Sequence, residues 1–165
     1  MSHSAHSILK VLKQHRIDFV VIGGAAAVLN GTPVVTLDLD VVHSRDAANV
    51  QRLMAALREL DARYRFRRDL SPGESHLLSA GHQLLMTEYG PLDVLGEIGE
   101  YGKGLAYEDL LARTHVEDAG GIGVRVLNLD FLIELKEQTG RDKDKAMLPT
   151  LRATLAEKKK LESAG

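Results

Sequence analysis

A chain of 165 residues, 44% of them hydrophobic, is long enough for one compact domain and too short for two comfortable ones. Its 21 basic and 23 acidic side chains give a net charge of -2, so no global positive field gathers nucleic acid and a polyanion has to be met by a local patch. The absence of cysteine excludes disulfides, thiolate metal sites and a cysteine nucleophile, and no apolar run reaches the length of a membrane span. The opening stretch lacks the apolar core of a signal peptide, so a cytoplasmic chain with no membrane partner is the expectation.

Ile8, Leu9 and Leu12 give residues 4–15 the pattern of a short amphipathic helix. Phe19 to Ile22 form an apolar run ended by Gly23 and Gly24, which suits a strand buried on both faces. Ala25 to Asn30 reads as a short helix stopped by Asn30 and Gly31. From Val35 to His43 the pattern alternates. Val35, Leu37, Leu39 and Val41 share one face and are expected to be buried, while Thr36, Asp38 and Asp40 share the polar face.

Arg45 to Leu60 is a helix by its apolar spacing, and RYRFRR at 63–68 alternates like a charge-guarded edge strand. Residues 82–95 suit a hairpin turning around Gly90 and Pro91, with a second strand from Leu92 to Leu95. A strand near Gly123 to Leu127 and helices over Leu129 to Thr139 and Pro149 to Lys160 complete the chain, Pro149 being placed in a first helical turn and the last residues in a fraying tail. The expectation is a single domain over 1–165 of α/β (α+β) class, a mixed sheet flanked by helices, with its C-terminal helices starting near 128.

Asp38 and Asp40 in a strand present two carboxylates from one face, their Cα atoms about 7 Å apart. Such a pair can bridge two Mg²⁺ ions roughly 3.5 to 4 Å apart, the arrangement used for in-line phosphoryl or nucleotidyl displacement. A third carboxylate from a neighbouring strand is then needed, and Asp93, set between Leu92 and Val94, is the candidate for it. Gly23 and Gly24, without Cβ atoms, let backbone amides approach phosphates, and the following helix start adds partial positive charge. Thr36 lies on the same polar face. An isolated Gly-Gly is a common turn and an isolated Asp-x-Asp a common solvated face; the pattern gains meaning from the combination. Metal-dependent glycosyltransferases also use Asp-x-Asp, but the chain is short for those.

The strand, Gly-Gly, twelve residues between Ala25 and Asp38, Asp-Leu-Asp and a later strand aspartate resemble the nucleotidyltransferase superfamily that includes DNA polymerase beta. With the run from Leu132 to Leu151 added, the chain looks similar to small bacterial nucleotidyltransferases of abortive-infection and toxin–antitoxin systems. The likeness covers roughly 18–43, 82–95 and 123–155. It implies an enzyme that moves an NMP from an NTP onto an acceptor hydroxyl, with Asp38, Asp40 and Asp93 as catalytic metal ligands for two Mg²⁺ ions. It also implies phosphate contacts from Gly23, Gly24, Thr36, Lys136 and Arg141. The acceptor stays open between RNA ends, protein side chains and small molecules, as does a cognate toxin or antitoxin partner. Ala25 and Val34 stand where the resemblance expects a hydroxyl residue and an arginine, and each change removes a phosphate contact. A fold that keeps nucleotide or partner binding without turnover is therefore the alternative.

Lys136 shares its helix side with Leu129, Leu132 and Ile133, so it either covers core surface with its stem or meets an anion, the triphosphate in the second case. Lys143 and Asp144 read as a solvated helix start, and His43 as a structural residue at a strand end.

Overall fold

The computed structural model describes residues 1–99 and 104–165. Helix α1 (His3–Gln14) precedes β1 (Phe19–Ile22), whose four residues are all buried, and α2 (Gly23–Leu29) follows without a break. Next come β2 (Leu39–His43), α3 (Ala47–Glu59), the two-residue β3 (Arg63–Tyr64), α4 (Glu74–Leu78) and the hairpin β4 (His82–Thr87) with β5 (Gly90–Leu95). A small two-stranded sheet, β6 (Glu97–Ile98) with β7 (Leu105–Ala106), leads to α5 (Tyr107–Leu110). Strands β8 (Thr114–Asp118) and β9 (Gly123–Leu127) and helices α6 (Leu129–Thr139) and α7 (Asp142–Ala164) finish the chain. No helix among the described residues is long and apolar enough to cross a membrane.

The main sheet runs β3-β4-β5-β2-β1-β9-β8. It is mixed, since β1–β9 and β2–β5 are parallel and the other pairs antiparallel. The expected mixed sheet flanked by helices is thus what forms. Its two faces are covered unequally. Phe19, Val21, Leu39, Val41, Leu92 and Val94 pack with α1, α2, α3, α6 and α7 in the large core. The opposite face gathers Val20, Ile22, Val42, Leu95 and Leu127 under Leu110 and Phe131, with the partly buried Ile98, Leu105, Tyr107 and Leu135 packed against them. One face is roofed; the other is partly open.

Four expectations need correction. Residues 33–38 are irregular, and Val35 and Leu37 are 91% and 84% exposed rather than buried. The alternation there suits a strand, but β1 ends at Ile22 opposite Asp40 and bends into α2, so nothing remains for 35–38 to pair with on that side. RYRFRR is a strand only at Arg63–Tyr64, after which the chain folds back through a Tyr64–Arg67 bridge and leaves Phe66 exposed. The hairpin turns at Glu88 and Tyr89, with Gly90 and Pro91 already paired to Thr87 and Met86. Pro149 lies inside α7, not at its start, and that helix runs on through the expected tail to Ala164.

Asn30 ties distant elements together. Its Nδ2 donates to the carbonyls of Ala26 and Leu127 at 2.9 and 3.0 Å, and its Oδ1 accepts from Lys158 Nζ at 2.8 Å. One buried amide thereby joins α2, the end of β9 and α7, satisfying polar groups that burial would otherwise make costly.

Candidate active site

Strands β2 and β5 run side by side and parallel, in a register that sets Asp40 against Asp93. Asp40 lies between Leu39 and Val41, which point into the large core, so alternation turns its carboxylate to the partly open face. Asp93 does the same between Leu92 and Val94. The 52 residues that separate the pair in sequence hold α3, β3, α4 and β4, and only the completed sheet brings the two carboxyls together.

Two carboxyls in this setting resist ionising together. Burial, then the charge of Asp93 and the hydrogen bond a protonated Asp40 shares with it, push Asp40 up to about 7 from 3.8, with Asp38 adding to the effect and Arg65 opposing it. Asp40 Oδ1 is buried and has no hydrogen-bond partner among the described residues. Arg65, from the turn after β3, donates through Nη2 to Asp93 Oδ1 at 2.5 Å and to the Leu85 carbonyl at 3.1 Å. This guanidinium was not legible as a site residue. Its partner is 28 residues away, and the alternation around it suggested an edge strand.

The glycine pair packs directly on these groups. Gly23 has φ +62°, and a Cβ there would stand 2.7 Å from Asp40 Oδ2; a Cβ on Gly24 would stand 2.8 Å from Thr36 Oγ1. Both positions need glycine for the close approach, and Gly23 also for its left-handed backbone. Thr36 Oγ1 in turn donates to the Asp38 carbonyl at 3.1 Å. Among the described residues no side chain caps the start of α2, so its first amides stay available beside Asp40.

Asp38 does not complete a triad. It is exposed and lies before the first residue of β2, and no three His, Cys, Asp or Glu side chains among the described residues converge closely enough to hold a metal ion. The expected three-carboxylate cluster is present as a pair, because the strand that was to align Asp38 with Asp40 begins one residue too late. What is present nevertheless fits a divalent cation. An orphaned buried carboxylate oxygen, a second carboxyl in register beside it and a flat glycine wall are the surroundings in which such an ion relieves like-charge repulsion.

The other expected residues are held elsewhere. Lys136 meets an anion, and that anion is Asp144, at 3.1 Å. Arg141 Nε donates to the same carboxylate at 2.8 Å and Thr139 Oγ1 at 2.5 Å. Asp144 is 3% exposed, so the solvated helix start expected there is a buried ionic cap. His43 is buried, its Nδ1–H donates to the Ser44 carbonyl at 3.0 Å, and burial holds its ring below the ordinary histidine range.

The mixed sheet flanked by helices, with the parallel β2–β5 pair at its centre, has the fold of solved nucleotidyltransferases. A candidate nucleotidyltransferase from Thermotoga maritima superposes with TM-score 0.57 at 22% identity, over 92% of this chain and 89% of that one. The lincomycin-bound lincosamide antibiotic adenylyltransferase LnuA gives TM-score 0.65 at 14% identity, over 93% and 98% of the two chains. ANT(2'')-Ia in complex with adenylyl-2''-tobramycin gives 0.59 at 15%, over 94% and 90%. At these identities the likeness is one of fold. No family model and no curated protein matches the chain.

Proposed function

We propose that this chain is a nucleotidyltransferase that moves a nucleoside monophosphate from an NTP onto the hydroxyl of a small-molecule acceptor, releasing pyrophosphate. The observation that carries the reading is the Asp40–Asp93 pair at the open sheet face, walled by Gly23 and Gly24. In the reaction the acceptor oxygen bonds to the α-phosphorus, the bond from that phosphorus to the bridging oxygen breaks, and pyrophosphate leaves with the electron pair. Asp93 takes the acceptor's proton. Amides at the start of α2 and the Thr36 hydroxyl receive the phosphates. Asp40 and Asp93 would hold Mg²⁺, and Asp38 would join them for a second ion. Bound Mg²⁺ supplies charge neutralisation and in-line alignment of the displacement. Lys136 and Arg141 are engaged by Asp144, so they reach a triphosphate only by leaving it.

The small-molecule acceptor draws support from LnuA, a lincosamide antibiotic adenylyltransferase with lincomycin bound, and from ANT(2'')-Ia, which holds adenylyl-2''-tobramycin. Incubation with Mg²⁺, each α-labelled NTP and cell lysate tests the proposal, the products being separated into small molecules, RNA and protein. Label in a small-molecule fraction, lost in Asp40→Asn, is expected; label on protein would support the antitoxin-like version with a partner's side chain as acceptor. A second reading, nucleotide binding without turnover, is favoured by the guanidinium that already holds Asp93 and by the phosphate contacts missing at Ala25 and Val34. It predicts thermal stabilisation by Mg²⁺-NTP with no pyrophosphate in any mixture.

A further inference from the structure

The sheet face that carries Asp93 continues one strand outward into an apolar groove. Leu84 of β4 stands opposite Asp93 in the antiparallel register, so the two side chains leave the sheet on the same face, and His82 lies two residues earlier on that face. Tyr64, Phe66, Arg67, Leu70, His82 and Leu84 line a space of about 330 Å³, within the range of small-molecule sites. Phe66 is 81% exposed, and Leu70 and Leu84 are also turned to solvent. Large apolar groups at a water boundary favour an apolar occupant.

The arginine that lines the groove and two of its neighbours are already matched, while among the described residues Arg68 donates only to the Arg65 carbonyl. Among the described residues no carboxylate lines the groove. Arg67 is held by Asp69 through two hydrogen bonds of 3.0 and 2.8 Å, and Arg63 and Arg65 are paired with Asp61 and Asp93. His82 Nε2–H donates to the Glu97 carbonyl at 2.9 Å. A polycation finds no acid among the described lining residues, and a polyanion finds Arg63, Arg65 and Arg67 already paired.

We propose that this groove is the acceptor subsite, and that the acceptor is a small uncharged molecule with a flat apolar body and a hydroxyl. The inference rests on the nucleotidyl-transfer reading. An apolar body lying on Phe66 and Leu84 sits over β4, one strand spacing, about 5 Å, from the strand that carries Asp93, so that its hydroxyl extends across to that carboxylate. There its oxygen bonds to the α-phosphorus as pyrophosphate departs, and its proton passes to Asp93. The aromatic face of Phe66 orients the ring, and a lining whose one arginine is already paired leaves the charges of highly charged competitors poorly matched.

The test uses three acceptors: 4-nitrophenyl β-glucoside as a neutral aryl glycoside, tobramycin as a polycation and a short RNA oligonucleotide as a polyanion. Wild type, Phe66→Ser and Leu84→Ser are compared; both residues are exposed, so the variants are expected to fold. The proposal expects label on the aryl glycoside, with a KM raised about tenfold or more in each variant, the loss that follows from removing one large apolar contact. Thermal stabilisation by Mg²⁺-ATP should stay at the wild-type value in both. Preference for tobramycin or RNA overturns the proposal, as does an unchanged KM for the glycoside. If wild type shows no stabilisation by Mg²⁺-ATP, it is the nucleotide reading that fails. The groove is then decided by binding of the glycoside alone, read from amide shifts: changes centred on Tyr64, Phe66 and Leu84 support it, and their absence overturns it.

Discussion

At Asp40 the protein keeps a group its fold would be more stable without. Folding raises this carboxyl above its unfolded value, which means that the ionised form is disfavoured in the folded state by burial and by Asp93. Asp40→Asn removes that cost while keeping the shape. Calorimetry without divalent ions should show a melting temperature a few degrees above wild type, and Mn²⁺ is expected to stabilise wild type but not the variant. A mutant less stable than wild type in the metal-free state would contradict this account. The residue-level content of the site was unevenly legible. Asp40, Asp93, Gly23 and Gly24 announce themselves by residue type and position, because close approach and carboxylate chemistry demand them. Arg65 does not, since an arginine in an arginine-rich stretch carries no sign that its partner lies on another strand.

The joint between α6 and α7 has its own acid-sensitive lock. Gly140 ends α6 in a left-handed conformation at φ 63°, and the next turn buries Asp144 against Lys136, Thr139 and Arg141. Burial alone would raise this carboxyl; the hydrogen bonds from Thr139, Arg141 and Lys136 outweigh it and hold Asp144 down to about 2. A folded value below the unfolded 3.8 means that stability from this group is complete above about pH 4 and drains away as pH falls towards 2. The amount is on the order of 2 kcal/mol. Urea unfolding between pH 5 and pH 2 should show wild type losing stability faster than Asp144→Asn, which is weaker at pH 5 and nearly level with wild type at the acid end. Equal slopes would remove Asp144 from the acid response. Among the elements, α1, β1, α3 and α6 were legible, because each has an unbroken apolar period. Residues 35–38 misled for a physical reason: alternation reports which side chains could share a face, but a strand also needs a neighbour. Strand β8 was missed because its exposed Val116 and acidic end give no apolar face to read.

For the molecule as a whole, uneven roofing of the sheet predicts uneven stability. Strands β1, β2 and β5 are paired on both edges and packed against the large core, whereas β3 has two residues and β8 is paired on one edge. Native-state hydrogen exchange should therefore find the slowest amides in β1, β2 and β5, with β8 opening at lower free energy. Protection of β8 equal to that of β1 would argue for an added partner on that edge. The general architecture could be read from the order of elements, yet the open face could not, because it depends on which helices cross to which side.

The Asn30–Gly31 sequence has a bearing on how the protein ages. In an unfolded chain an asparagine followed by glycine readily closes to a succinimide, the glycine nitrogen attacking the side-chain amide and ammonia leaving. Here both reacting groups are occupied: Gly31 N donates to the Val28 carbonyl at 2.9 Å, while the Asn30 amide spans Ala26 and Leu127. Chains that spend time unfolded will deamidate at this point, and a carboxylate facing two carbonyls will not close the same joint. Storage or heat damage should thus accumulate as molecules that can no longer refold, each carrying one extra negative charge at residue 30, while molecules that stayed folded keep the amide intact.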